Sequence, residues 1–413
     1  MQRVIMHSDI NHCYAQIHEM MHPKLKDVPM LIGGSEEKRN GIVLARNLLA
    51  KSYGIKTAQT LWEARELCPN VLVISPDYNA YQYYSEKVKD IYREYSDQVE
   101  SFGIDEAWVD LSHSTKLFGD PIEIAKEIQK RVLDEIGLTI SIGLSFNKIF
   151  AKLGSDLIKP SGFVVISEEN YKEKVFPLSV DQLLNVGRAT TEKLNKIKIY
   201  TIGDLAKAPL SRISDLLGKN GEMIWSFANG LDYSTVNNQA FVRDPKSIGN
   251  GITSPKDIND KRELKMVFQV LVESVASRLK DIDMVASVIS INIRSSSLKS
   301  FSKQTSLEAP TNTSSVIMKW VMDLANDDRT FMEPIRSIRV KASKLSKDNH
   351  ATQLNLFYDA NFLHKEKQVD KIIDDIRNKF SFDIIKRANV LEDESLTNFN
   401  PKGAHTIFPV GFF

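Results

Sequence analysis

Val99-Glu100-Ser101-Phe102-Gly103-Ile104-Asp105-Glu106-Ala107-Trp108-Val109-Asp110-Leu111 decides how the first half of the chain is read. Val99 to Phe102 and Ala107 to Leu111 are short, strand-like runs, and the four residues between them fit a hairpin turn. Gly103 makes a tight turn easier. Consecutive strand residues face opposite sides of a sheet, so Asp105 and Glu106 converge on one site only if the backbone bends there. Taken alone, an acidic pair in a turn is usually solvated turn chemistry.

Before the hairpin, Val4 to Ile10 reads as a strand, Cys13 to Met21 as a helix and Tyr78 to Asp97 as a long helix. After it, Asp120-Pro121-Ile122-Glu123 supplies an N-cap, a proline at the first helical position and a capping glutamate for a helix to about Ile136. Thr139 to Ser145 alternates as a strand. The order strand, helix, strand, strand, helix, strand is the split βαβ arrangement, with residues 20–75 inserted near its start. The insertion holds strand-like runs at Pro29 to Ile32, Ile42 to Ala45 and Val71 to Ser75, and a capping box at Thr60-Leu61-Trp62-Glu63.

From Pro177 to Leu231 the pattern becomes short helices punctuated by glycine. Gly187 and Gly203 mark a helix, hairpin and helix whose backbone amides suit a phosphate, although an ordinary linker would look the same. Asn237 to Gly251 reads as an interdomain linker. Beyond it, helices at Leu264 to Lys280 and Ser314 to Ala325 alternate with strands at Val285 to Arg294, Phe301 to Thr305 and Ile335 to Ala342. Residues 241–345 hold 17 Lys and Arg against 12 Asp and Glu, so a basic module sits in a chain of net charge +1. Such a module suits nucleic acid, and an ordinary solvated face would show as much.

A length of 413 residues, 42% hydrophobic and 26% charged, implies several soluble domains. No run reaches the roughly 18 apolar residues that span a bilayer, and the N-terminus lacks a signal-peptide core. A cytoplasmic protein with no membrane partner is expected. Cys13 and Cys68 are the only cysteines, too few for a disulfide framework or a four-cysteine zinc site.

Asp9 ends the first strand, and with Asp105 and Glu106 it completes a set of three carboxylates. Magnesium takes hard oxygen ligands, usually from few carboxylates, with phosphates and water completing the shell. A pair of such ions serves phosphoryl and nucleotidyl transfer.

His7-Ser8-Asp9-Ile10-Asn11-His12-Cys13-Tyr14-Ala15 resembles the opening motif of the Y-family, DinB-like translesion DNA polymerases of bacteria. Gly103 to Leu111 resembles their second motif, and Asn147 to Ile166 their third. The resemblance spans nearly the whole chain in the family's order. It implies an α+β, right-hand polymerase: a ferredoxin-like palm (1–19 and 76–166), small fingers (20–75), a helix-hairpin-helix thumb (167–236), an α/β little finger (237–345) and a C-terminal extension (346–413). The implied activity is low-fidelity, template-directed nucleotidyl transfer from dNTP to a primer 3′-OH, without proofreading, by a monomer.

The same resemblance implies two Mg2+ ions held by Asp9, Asp105, Glu106 and the carbonyl of Ile10. It implies a steric gate at Tyr14, against a core aromatic on spacing alone, and a triphosphate contact at Lys159, with Lys148 and Lys152 as weaker candidates. Arg294, Lys299, Arg336 and Arg339, with Gly187 and Gly203, are the expected contacts to primer-template DNA. Gln353-Leu354-Asn355-Leu356-Phe357 resembles the peptide by which bacterial polymerases bind the sliding clamp, here through Gln353, Leu354, Leu356 and Phe357; a short strand is the alternative.

The fingers depart from the family pattern. Where Thr, Tyr and Arg commonly surround the triphosphate, the matching residues are Ala45, Leu48 and Lys51, with Arg46 as a substitute. An ammonium does not replace a bidentate guanidinium. Gly103 and Lys198 stand where the family usually has Ser and Gly. These changes favour a noncatalytic DNA- or clamp-binding accessory of the same fold; the three intact carboxylates favour the polymerase. A nucleotide cyclase would need neither the thumb hairpin, the basic module nor the clamp peptide.

Overall fold

The structure, a computed structural model, describes residues 3–35, 41–238, 240–241, 244–348 and 360–403, with side chains from 365 onward in the last stretch. Two compact units are present, the first built chiefly from 3–33 and 43–241 and the second from 244–403. No helix among the described residues is long and apolar enough to cross a membrane.

The first unit centres on a five-stranded sheet in the order β5-β6-β1-β7-β8, from β1 (Ile5–Ile10), β5 (Val99–Ser101), β6 (Glu106–Asp110), β7 (Ile140–Ser145) and β8 (Phe163–Ile166). β1 lies between antiparallel β6 and β7 and is buried throughout. Its alternation splits its residues between two environments. Met6 and Ile10 enter a core with the helices Cys13–Met21, Tyr78–Tyr95 and Pro121–Arg131, while Ile5 packs with Trp108, Ala151 and Val236 on the other face. His7 and Asp9 share that second face, which the helix Lys148–Leu157 covers.

That helix approaches β7 at backbone level. A Cβ on Gly143 would lie 1.9 Å from the Ala151 carbonyl, and one on Gly154 would lie 3.1 Å from Gly143 Cα. Only glycine fits so close an approach.

The inserted segment forms its own three-stranded sheet, β3-β2-β4, from β2 (Met30–Gly33), β3 (Val43–Arg46) and β4 (Leu72–Ile74). Thr60 and Glu63 form both halves of the capping box that starts the helix Leu61–Leu67. Asp120 caps the helix Pro121–Arg131 as expected, but Glu123 turns to Lys126. Helices Arg188–Lys196, Ile202–Lys207, Leu210–Leu217 and Lys219–Ala228 follow.

The second unit is a four-stranded antiparallel sheet, β11-β10-β12-β9, from β9 (Ser247–Ile258), β10 (Met284–Ser295), β11 (Ser300–Thr311) and β12 (Ile335–Lys347). Ile289, Ile291 and Ile293 pair with Ala342, Val340 and Ile338, and this face packs beneath the helices Lys261–Asp281 and Ser314–Ala325. The expected linker over Asn237 to Gly251 is corrected here, because its last five residues belong to β9. Gly249, Gly251, Asn250 and Pro255 disguise a strand that, among the described residues, pairs only with β12, and edge strands tolerate such residues. β11 likewise runs beyond Thr305, through Pro310 at the opposite edge.

The C-terminal helix Ala360–Lys379 is tied to this unit by buried charge. Asp370 accepts from the Ser314 backbone N–H at 2.7 Å and from its hydroxyl at 2.6 Å, at the start of a helix whose own N-cap Thr313 supplies no side-chain cap. Glu273 receives Arg377 and Arg387, each at 2.8 Å.

Gly143→Ala is expected to lose about 3 kcal/mol of stability or more, because neither backbone can yield to the new methyl group. Urea unfolding checks this; a midpoint equal to that of the wild type would show that the helix and sheet are not locked together.

Candidate active site

Strand register brings the acids together. Asp9 on β1 and Glu106 on β6 are Cα partners, and His7 and Trp108 are the next same-face pair. Asp105 sits in the turn before Glu106, where Gly103 adopts φ +86°. Its carbonyl accepts from the Ile10 N–H at 2.9 Å. The helix Tyr78–Tyr95 supports this turn, with Ser85 donating to the Ile104 carbonyl and Lys89 to that of Gly103 at 3.5 Å.

Two lysines meet the acids. Lys159 lies 2.8 Å from Asp9 and 2.8 Å from Asp156, and Lys152 lies 2.7 Å from Glu106 and 3.4 Å from Asp156. Lys148 is directed elsewhere: it pairs with Glu100 at 2.8 Å and lies over the Trp108 ring. His7, Ser155 and Asp156 join the site without having been expected. Strand alternation carried a signal for His7, two residues before Asp9, and helical spacing carried one for Ser155 and Asp156, three and four residues after Lys152.

Burial and charge pull these groups apart. Burial pushes the Asp9 carboxyl up to about 7, against the opposing pull of Lys159. Asp105 is raised by burial and by the neighbouring Glu106. Burial acts the same way on Glu106, but His7 and Lys152 outweigh it and hold that carboxyl down to about 2. Burial lowers His7.

Among the described residues, no three His, Cys, Asp or Glu side chains stand arranged as a metal shell. The donor chemistry nonetheless fits a divalent cation. Three neighbouring carboxylates offer hard oxygens, and burial holds two of them, Asp9 and Asp105, back from ionising.

Tyr14 stacks on Tyr81 at 4.2 Å between centroids, with planes 8° apart, and meets Tyr78 edge-on. Ala45 pairs with Ile32 and packs in the same cluster as Tyr14. Arg46 pairs with Leu31, whose side chain belongs to the separate core of the inserted segment, and donates to Thr57 at 2.8 Å. The guanidinium therefore leaves β3 on the face opposite Ala45. Leu48 and Lys51 lie one turn apart on the short helix Leu48–Ser52, both exposed.

Arg294 and Arg339 share the open face of the second unit's sheet with Ser290, Asn292 and Lys341, around a cleft of about 710 Å³. Arg336 sits at a bulge, and Lys299 pairs with Glu333 beside the β10–β11 turn. Gly187 is the N-cap of the helix Arg188–Lys196 and adds no capping side chain. Gly203 has a packing role instead: its N–H donates to the Phe176 carbonyl at 3.0 Å, and a Cβ would lie 2.8 Å from Phe176 Cβ. Lys198 adopts φ +64°, keeping a glycine-like turn without glycine. Gln353 to Phe357 lie outside the described residues.

Residues 8–156 match the impB/mucB/samB family, 245–356 match that family's C-terminal domain, and 181–232 match the thumb domain of DNA polymerase-iota. The chain is 39% identical over 396 residues to a DNA polymerase IV of Acetivibrio thermocellus, covering 96% of this chain and 99% of that one. It is 36% identical to DNA polymerase IV 2 of Bacillus subtilis, covering 94% of each. A solved Y-family DNA polymerase chimera, Dbh-Dpo4(243-245)-Dbh, superposes with a TM-score of 0.72 at 21% identity, covering 83% of this chain and 98% of the other, which establishes the likeness of fold.

A carboxyl held up to about 7 in the folded protein, against 3.8 in the ordinary case, makes the folded state retain a proton that the unfolded chain releases. Stability contributed by Asp9 is therefore present below pH 4 and lost as pH rises toward 7. In chelator, wild type is expected to fall on the order of 2 kcal/mol relative to Asp9→Asn across that window. Buried His7 has the opposite sign, so the informative quantity is the difference between the two proteins. Equal pH slopes in thermal unfolding would contradict the electrostatic account of Asp9.

Proposed function

Because the chain belongs to the Y family of DNA polymerases, in its bacterial DNA polymerase IV branch, and is a template-directed translesion polymerase, we propose that Asp9, Asp105 and Glu106 form its nucleotidyl-transfer centre. The observation that carries this reading is the register pairing of Asp9 with Glu106 beside a turn that delivers Asp105. These carboxylates, with the Ile10 carbonyl, would hold two Mg2+ ions. Bound there, the ions would activate the primer 3′-OH and neutralise the triphosphate and leaving pyrophosphate.

Lys159 supplies a compact positive charge for the triphosphate, on the same side as Asp9. Asp156 steadies both Lys152 and Lys159, so neither ammonium depends on a metal-binding carboxylate alone for its position. Tyr14, braced by Tyr81, lies against the sugar and excludes a 2′-OH. Ala45, Leu48 and Lys51 leave the fingers with one ammonium where the family commonly has two further donors and a guanidinium. Nucleotide binding then leans on Lys159 and the metals, and a high KM for dNTP follows.

DNA is held through its phosphates by the amide-rich turn at Gly187 and by Arg294, Arg339 and Lys341 on the open sheet face. Lys299 and Arg336 are secondary contacts by their positions. Gln353, Leu354, Leu356 and Phe357 dock on the sliding clamp. The centre is built from one chain, so a monomer suffices, and a cytoplasmic location accords with DNA as the substrate.

Primer extension with Mg2+ and all four nucleotides, on undamaged and abasic templates, tests the centre. Asp105→Ala combined with Glu106→Ala is expected to lower the rate by roughly 1,000-fold or more while primer-template binding persists. A wild type that binds DNA but adds no nucleotide would transfer the assignment to the noncatalytic accessory role. In the same assay Tyr14→Ala is expected to raise ribonucleotide use relative to deoxyribonucleotide by roughly 100-fold. Discrimination equal to that of the wild type would reduce Tyr14 to a core aromatic.

A further inference from the structure

His7 has no part in the chemistry above, yet it is fully buried directly beneath the carboxylates. Its Nδ1 lies 2.8 Å from Ser155 Oγ, and its Nε2 lies 3.4 Å from Glu106 Oε2. The Trp108 ring meets the imidazole edge at 5.0 Å and fixes its plane. Ser155 Oγ also lies 2.8 Å from the Lys152 carbonyl, so its single proton has two acceptors to choose between.

The choice sets the histidine tautomer. If the hydroxyl donates to the Lys152 carbonyl, Nδ1 must carry the proton, and a neutral ring then turns its bare Nε2 lone pair on a carboxylate oxygen. Two buried acceptors would face each other without a proton between them, at a cost of the order of a lost buried hydrogen bond. If the hydroxyl donates to Nδ1, the proton sits on Nε2 and points at Glu106. The second arrangement hydrogen-bonds a neutral His7 to Ser155 and leaves its Nε2–H facing the Glu106 carboxylate.

We propose that His7 is a positioning residue for Glu106, its Nε2–H aimed by Ser155 and its plane set by Trp108, so that the carboxylate presents its oxygens to a divalent cation in one fixed orientation. This rests on the reading of Glu106 as a metal-holding residue. Lys152 supplies charge to Glu106 from the helix side; His7 supplies direction from β1, the strand that carries Asp9. Asp9 has its own partner in Lys159, and Asp105 is placed by backbone contacts to its turn, which leaves Glu106 as the carboxylate oriented by an imidazole. The 3.4 Å separation is loose for a hydrogen bond, and the same oxygen also faces Lys152 Nζ at 2.7 Å. Catalytic contacts of this kind often shorten when the site is loaded, and partners behind a metal ligand tune its affinity for the ion.

The test is binding of Mn2+ to the full-length protein on primer-template, followed by electron paramagnetic resonance without nucleotide, together with the Mg2+ concentration for half-maximal extension and the KM for dNTP. His7→Leu is expected to weaken Mn2+ binding roughly 10-fold or more and to raise the Mg2+ requirement similarly, with KM for dNTP at saturating Mg2+ little changed. His7→Gln, which keeps an N–H donor, is expected to recover most of the loss. Ser155→Ala changes no ring and serves if His7→Leu fails to fold; it is expected to shift both metal readouts in the same direction by about 3-fold.

Wild-type Mn2+ affinity in folded His7→Leu, or in Ser155→Ala where His7→Leu does not fold, overturns the proposal. Glu106→Gln separates its failure from that of the site: if Glu106→Gln also binds Mn2+ normally, the assignment of Glu106 as a metal-holding residue falls and takes this inference with it. If Glu106→Gln is weakened and His7→Leu is not, only the role given to His7 is lost.

Discussion

The close approach of the helix Lys148–Leu157 to β7 governs the acidic centre. Gly143 and Gly154 let two backbones touch where any side chain would separate them. The contact fixes the height of the helix above the sheet, and with it the reach of Lys152 and Ser155 to groups on β1 and β6. Sheet alternation completes the arrangement, because His7, Asp9, Glu106 and Trp108 all leave the sheet toward that helix. A longer separation would leave buried carboxylates without cations, a condition that buried charge does not tolerate.

The acidic centre is therefore a problem of charge. Asp9, Asp105 and Glu106 crowd together, and the protein supplies two ammoniums, bridged by Asp156, as internal counter-ions. This compensation is uneven. Glu106 is stabilised as a carboxylate, whereas Asp9 and Asp105 remain reluctant to ionise. In the inserted three-stranded sheet, Arg46 donates to Thr57 on the face of β3 opposite Ala45.

The second unit divides its work between two faces. Isoleucine, valine and alanine of β10 and β12 bury one face under helices, and serine, asparagine, arginine and lysine at the intervening positions leave the other open and basic. Glu273 and Asp370 bind Arg377, Arg387 and Ser314, which ties the described residues 360–403 to the helical layer.

Local signals were strong where local physics decides the outcome. The helix Cys13–Met21, the helix Ser314–Ala325, the capping box at Thr60 and the hairpin at Gly103 all follow from periodicity, capping or turn chemistry within a few residues. Edge strands gave weaker signals. β9 was hidden by its glycines, asparagine and proline, because a strand paired on one side need not show an apolar alternation.

By itself the sequence determined the split βαβ order and the three carboxylates, since each depends on short-range patterns and on motifs preserved in order. Only the tertiary structure decided which lysine meets which acid, that Lys148 turns to Glu100, that Gly203 is a packing residue, and that His7 and Ser155 stand behind Glu106. Those pairings join residues up to 150 positions apart. They are set by strand register and by the distance between a helix and a sheet, quantities that no local stretch of sequence encodes.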